Sequence, residues 1–190
     1  MPRLDHSPEQ SVSHKLRAGE AFPVLDAKNI HENALSVPSP DGRVAHLQFR
    51  RFAGCPICNL HLQSFVSRHP EIAGAGVREV VVFHSPDAEL LPYQGRFPFD
   101  VIGDPSHTLY RRYGVEKSIW AVLSPRAWPA AMRGNFKRDK PKLCGVPSGG
   151  VLGLPADFLV AGDGSVKAVH SGKHADDQWT VDEMLALARR

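Results

Sequence analysis

Cys55-Pro56-Ile57-Cys58 stands where a strand pattern runs directly into a helix pattern, and this junction constrains the fold more than any other feature of the chain. From Arg43 to Phe52 the residues alternate, with Ala45, Leu47 and Phe49 on one face and His46, Gln48 and Arg50 on the other. After Gly54, residues 56–68 read as a helix. Pro56 suits its first turn, where a missing N–H costs nothing. Leu62, Phe65 and Val66 supply its apolar stripe, and His69-Pro70 ends it. Val77 to Phe83 is a β-branched run of the kind buried in a parallel sheet. A short helix is expected around Asp87 to Leu91, and a strand over Phe99 to Ile102. A helix opened by Asp104-Pro105-Ser106 carries Leu109, Tyr110 and Tyr113 and is stopped by Gly114. Phe158 to Val160 and Val166 to Val169 flank the hairpin signal Gly162-Asp163-Gly164. Thr180 and Glu183 have capping-box spacing, ahead of a helical face of Val181, Met184, Leu185 and Ala188. The order β-α-β-α-β-α, then a β-hairpin and a helix, predicts an α/β fold: a central mixed sheet with helices on both faces.

A hydrophobic share of 42% against 23% charged residues excludes wholesale disorder, and 190 residues suffice for one domain with its own core. Residues 1–20 are polar and read as a flexible arm. A hairpin-like extension with a turn at Ser39-Pro40-Asp41-Gly42 follows them. Residues 124–150, rich in Pro, Gly and basic side chains around Cys144, read as an insertion. No run approaches the roughly 20 apolar residues of a membrane helix, and the N-terminus lacks an apolar signal region. A net charge of +3, thinly scattered, gives no nucleic-acid groove. The expectation is a cytoplasmic protein acting on neither membrane nor nucleic acid.

Three cysteines are too few for a disulfide-stapled scaffold, and a single CxxC in such a chain points to redox chemistry or to metal. A free thiol with a pKa of about 8.5 is only about 3% thiolate at pH 7. Cys55, just ahead of a helix, would face unpaired N–H groups and the positive end of the dipole. A lowering of about 1.5 units, roughly 2 kcal/mol, would leave it half ionised near pH 7. Arg50 and Arg51 are close enough in sequence to add positive potential. Cys58, one turn on, can reach the Cys55 sulfur and resolve an adduct as a disulfide. The competing reading is a structural or zinc-bound pair, with His61 and Cys144 as the further ligands that zinc would need. Cys144 also reads as a third redox thiol or as a free thiol in a solvated basic loop.

The segments RRFAGCPICN (50–59), DPSHTLYRRYGV (104–115), GGVLGLPADFLV (149–160) and AGDGSV (161–166) resemble the thioredoxin-like superfamily. Within it they are similar to AhpC/TSA-type, peroxiredoxin-like proteins with a CxxC, and the run Arg50 to Cys58 looks like the peroxiredoxin-like-2 branch. The resemblance covers roughly residues 15–188. It implies a thioredoxin-like fold, with Cys55 as nucleophile, Cys58 as resolving thiol and Pro56, Arg50 and Arg51 in support. It also implies a cis proline beside the CxxC, at Pro155. Peroxiredoxins carry Pro-x-x-x-Thr/Ser-x-x-Cys at the peroxide-attacking thiol; here Gln48 replaces the proline and Phe52 the hydroxyl residue. Arg126 and Arg133 are the candidates for the arginine that the resemblance implies in support of the thiol site.

The function implied is thiol–disulfide oxidoreduction through a Cys55/Cys58 dithiol–disulfide cycle, in antioxidant or redox homeostasis. A thioredoxin- or glutathione-type reductant would serve it, with a disulfide or peroxide as substrate and no cofactor. The alternatives are a thiol-dependent peroxidase and a non-catalytic thioredoxin-fold binding module. A homodimer is compatible with all three.

Overall fold

Seven strands and five helices form among the residues that the computed structural model describes, 15–115 and 154–190. The strands are β1 (Leu25–Lys28), β2 (Ala34–Val37), β3 (Val44–Arg50), β4 (Val77–Phe83), β5 (Asp100–Gly103), β6 (Ala156–Val160) and β7 (Val166–Ser171). The helices are α1 (Pro56–Ser67), α2 (His69–Gly74), α3 (Asp87–Gln94), α4 (Thr108–Arg112) and α5 (Val181–Ala188). β1 and β2 form a separate antiparallel hairpin, while the main sheet runs β5-β4-β3-β6-β7. β3, β4 and β5 are parallel; β6 and β7 are antiparallel to their neighbours. This is the expected α/β, thioredoxin-like architecture, a mixed sheet with helices on both faces.

β3 is central because nearly every residue in it is buried. Ala45, Leu47 and Phe49 join Val80, Val82 and Phe158 in a core closed by the β1–β2 hairpin and by Tyr110 and Tyr113. The opposite face meets α1, α2 and α5 through Phe65, Ile72, Val77, Leu159 and Met184. α1 starts at Pro56 as expected. Pro70 does not simply end it: after Arg68, His69-Pro70 opens α2, where a first-turn proline again costs no hydrogen bond. α4 begins later than Asp104, because that carboxylate accepts the N–H groups of Thr108 (2.9 Å) and Leu109 (2.8 Å) and so caps the helix from outside. At α5 the Thr180–Glu183 capping box forms as read.

The expected N-terminal arm lies mostly outside the described residues, but 15–20 are seated rather than free. Leu16 is buried in the core, and the Gly19 N–H donates to the Val166 carbonyl at 2.8 Å. The insertion over 124–150 lies outside the described residues. No helix among the described residues is long and apolar enough to cross a membrane.

Candidate active site

The end of β3 delivers the chain into a short loop that the end of β4 holds in place. The His84 N–H donates to the Arg51 carbonyl (3.0 Å), and the Ala53 N–H to Ser85 Oγ (3.1 Å). Gly54, at φ +70°, makes the left-handed turn that brings Cys55 to the N-cap of α1. The thiols thus stand at a helical N-terminus, although Cys55 and Cys58 are each only 1% exposed. Both are free thiols, packed with Phe52, Ala53, Ile57 and Leu62.

Burial alone would push the Cys55 thiol up. Instead the Cys58 S–H donates to its sulfur, the Arg51 guanidinium faces it, and the Cys58 and Ile57 N–H groups point at it. Together they hold it at about 6, below the ordinary 9.0. Arg51 Nη1 donates to Cys55 Sγ at 3.7 Å. The Cys58 thiol moves the other way, well above its usual range, through burial, its hydrogen bond to Cys55 and the nearby Cys55 charge. The arrangement makes one sulfur an anion and keeps its neighbour a proton donor.

Of the two arginines, only Arg51 reaches the sulfur. The Arg50 guanidinium turns to the α1 face and pairs with Asp157 at 2.6 Å. Phe52 is buried against the thiols, and the Arg51 guanidinium lies 5.2 Å from its ring centroid. His61 Nε2 accepts from Arg50 Nη2 at 3.4 Å rather than completing a metal set. Burial, with Arg50 and His46 close by, pushes its pKa down to about 3 although Asp157 opposes this. Among the described residues no group of three His, Cys, Asp or Glu side chains is placed to hold a metal ion. Cys144, Arg126 and Arg133 lie outside the described residues.

Pro155 needs a correction. The register Phe49↔Ala156 puts it level with Arg50, at the end of the sheet where the CxxC begins. Its peptide bond is not cis, however; among the described residues the cis bond is Val37–Pro38. An X–Pro bond prefers trans by about 0.5–1 kcal/mol unless its surroundings reverse the choice. Here the Pro155 carbonyl is already engaged by the Gly172 N–H at 2.8 Å. His84, Ser85, Glu79 and Asp157 were not readable as site residues from local pattern. The available signal was charge inside an otherwise apolar run, Glu79 beside Arg78 in β4 and Asp157 alone in β6.

The sequence model for the AhpC/TSA antioxidant enzyme matches residues 64–174, more than half of the chain. The chain belongs to the AhpC/TSA antioxidant-enzyme family. This makes it an oxidoreductase, and the matched span begins after the CxxC, so the two sulfurs add to the assignment rather than carry it. Solved structures agree on the fold. Peroxidoxin BcpB from Mycobacterium tuberculosis superposes with a TM-score of 0.66 at 17% identity, covering 93% of this chain and 97% of that one. A protein described as the thiol:disulfide interchange protein DsbE from Chlorobium tepidum gives 0.60 at 18% identity, covering 92% and 99%. A peroxiredoxin-like protein from Aquifex aeolicus gives 0.64 at 16% identity, covering 94% and 89%. A search among curated proteins found no match.

Proposed function

We propose that this family member is a thiol–disulfide oxidoreductase in which Cys55 is the nucleophile and Cys58 the resolving thiol. The observation that carries the reading is the Cys55 sulfur at the N-cap of α1, with Arg51 Nη1 at 3.7 Å and the Cys58 S–H donated to it. With a disulfide substrate, the Cys55 thiolate attacks one sulfur, and a mixed disulfide forms as the other sulfur leaves as thiolate. Cys58 then gives up its proton and attacks the Cys55 sulfur. The internal Cys55–Cys58 disulfide forms and the second substrate thiolate leaves. An external dithiol, or two monothiols, of the thioredoxin or glutathione type returns two electrons and two protons.

A second reading, hydroperoxide reduction, is supported by the closeness of the site. A sulfur 1% exposed among Phe52, Ala53 and Ile57 favours an oxidant of few atoms. The thiolate would take the terminal peroxide oxygen as a sulfenic acid and release an alcohol or water. Cys58 would then expel that oxygen as water, giving the same disulfide.

Treating the reduced chain with hydrogen peroxide or an oxidised dithiol protein should lower its titratable thiols from three to one. Cys58→Ser should trap the sulfenic acid or the mixed disulfide on Cys55, and Cys55→Ser should abolish turnover. Turnover persisting in Cys55→Ser, or Cys55 reacting no faster than a peptide thiol, would reject the proposal. Peroxide consumed no faster than by a small-molecule thiol would remove the second reading alone.

A further inference from the structure

Beneath α1 lies a strip of polar side chains that the redox steps do not use. His46, Gln48 and Arg50 of β3, Glu79 of β4 and Asp157 of β6 are buried on the same face of the sheet. Strand register brings them together, since His46 pairs with Glu79 and Gln48 with Asp157. His46 Nδ1 donates to Glu79 Oε2 at 2.9 Å, and its Nε2 to Asp157 Oδ1 at 3.2 Å. Gln48 Nε2 donates to the same Glu79 oxygen. Arg50 Nη2 donates to Asp157 Oδ1 at 2.6 Å and to Gln48 Oε1 at 2.5 Å, and its Nη1 to the Phe49 carbonyl at 3.1 Å.

Stability does not account for such a strip. Buried ion pairs commonly yield no more stability than apolar residues of similar volume, because desolvation offsets the attraction. This one also leaves Arg50 Nε and Asp157 Oδ2 without a hydrogen-bond partner. Its neighbours on the same face, Val77, Val81 and Leu159, show that apolar side chains fit there.

What distinguishes the strip is where it ends. Arg50 is its last member on β3. Its guanidinium meets His61 of α1, and its carbonyl accepts the Tyr110 hydroxyl, which also reaches the Val82 carbonyl at 3.1 Å. The next residue is Arg51, which faces the Cys55 sulfur. We propose that the buried Glu79–His46–Asp157–Arg50 strip is a positioning network for the thiol site: by locking Arg50 to β6 below and to α1 above, it sets Arg51 against Cys55 Sγ. None of its members touches a sulfur, so Arg50 and Asp157 are positioning residues. This inference rests on Cys55 being the reactive thiol.

The test is the pH dependence of iodoacetamide alkylation at Cys55, read by peptide mass in the full chain. Arg50→Lys keeps the charge but loses the fork that holds Asp157 and Gln48 together. Asp157→Asn removes the counter-charge at nearly constant shape. Each should raise the Cys55 inflection by about one unit, as withdrawal of a close cation would. Alkylation near pH 6.5 should slow several-fold. Leu159→Ala, in the same layer, should lower the melting temperature and leave the inflection in place. Gln48→Leu, which leaves the ion pairs intact, gives a milder loss of one Arg50 anchor and a smaller upward shift, should the charged variants not fold. An unmoved inflection in the folded variants, with melting lowered as in Leu159→Ala, overturns the positioning role and leaves the proposed function standing. A wild-type Cys55 that titrates like an ordinary thiol overturns both.

Discussion

On one face of β3, Phe49 meets Tyr110 edge-on at 5.0 Å, Phe158 at 5.8 Å and Tyr113 at 5.9 Å. On the other face, one residue away in each direction, Gln48 and Arg50 are equally buried and lie among carboxylates. The first face obeys the area rule: apolar surface leaves water, and the gain scales with what is covered. The second reverses that rule in the middle of the sheet and spends desolvation on four charged groups. The two faces therefore answer to different demands, one to stability and one to the placement of Arg51. Each can be perturbed without touching a sulfur.

The largest expected effect is on the apolar face. Phe49→Ala empties the centre of its cluster and should cost about 3–5 kcal/mol in chemical denaturation. If the division between the faces is right, any folded fraction keeps the Cys55 alkylation profile of the wild type. A profile shifted as far as in Arg50→Lys would mean that β3 responds as one body and that the faces are not separable.

The intermediate effect tests the charged face by pH. Burial pulls the His46 imidazolium down, but the Glu79 and Asp157 carboxylates more than reverse this and hold its pKa at about 9, against an ordinary 6.5. A group raised on folding supplies stability that is complete below pH 6.5 and drains as pH rises through 9. Cys55 tilts the opposite way. Held at about 6, it supplies stability above its ordinary 9.0 and loses it as pH falls through 6, so the two slopes oppose each other in the wild type. With both thiols replaced by serine, the His46 slope should stand alone. Melting temperature should then fall between pH 6.5 and 9, by the equivalent of about 3 kcal/mol at most. A flat curve would mean that His46 is not held as a cation between its two carboxylates.

The same contrast explains what could be read in advance. β4 matches its expected bounds residue for residue, α1 opens at Pro56, and the Thr180–Glu183 box forms, because each signal is contained in a few consecutive residues. The alternation of β3 placed His46, Gln48 and Arg50 on one face, and that face is where they lie. Their partners were not legible: Asp157 lies 111 residues beyond His46, and only the β3–β6 register joins them. The directions of Arg50 and Arg51 were hidden for the same reason: only the assembled sheet and loop turn the first to Asp157 and the second to Cys55. The geometry of Pro155 is a choice between two isomers close in energy, which its own sequence does not decide.

The smallest expected effect lies at α5, on the same side as the ionic strip, where the Trp179 and His46 rings are 6.0 Å apart. Thr180 Oγ1 accepts the Glu183 N–H at 3.3 Å, while the Glu183 carboxylate accepts the Thr180 N–H at 2.8 Å. Thr180→Ala should cost about 1 kcal/mol, read as a lower denaturant midpoint at unchanged slope. It loosens the cover of the strip without altering any of its hydrogen bonds, so the Cys55 inflection should stay where it is. If this small change moved the inflection as Asp157→Asn does, the thiol would be sensing the general firmness of that side of the molecule. The distinction drawn for Arg50 would then lose its physical basis, because a positioning network must respond to its own bonds and not to every loss of packing around it.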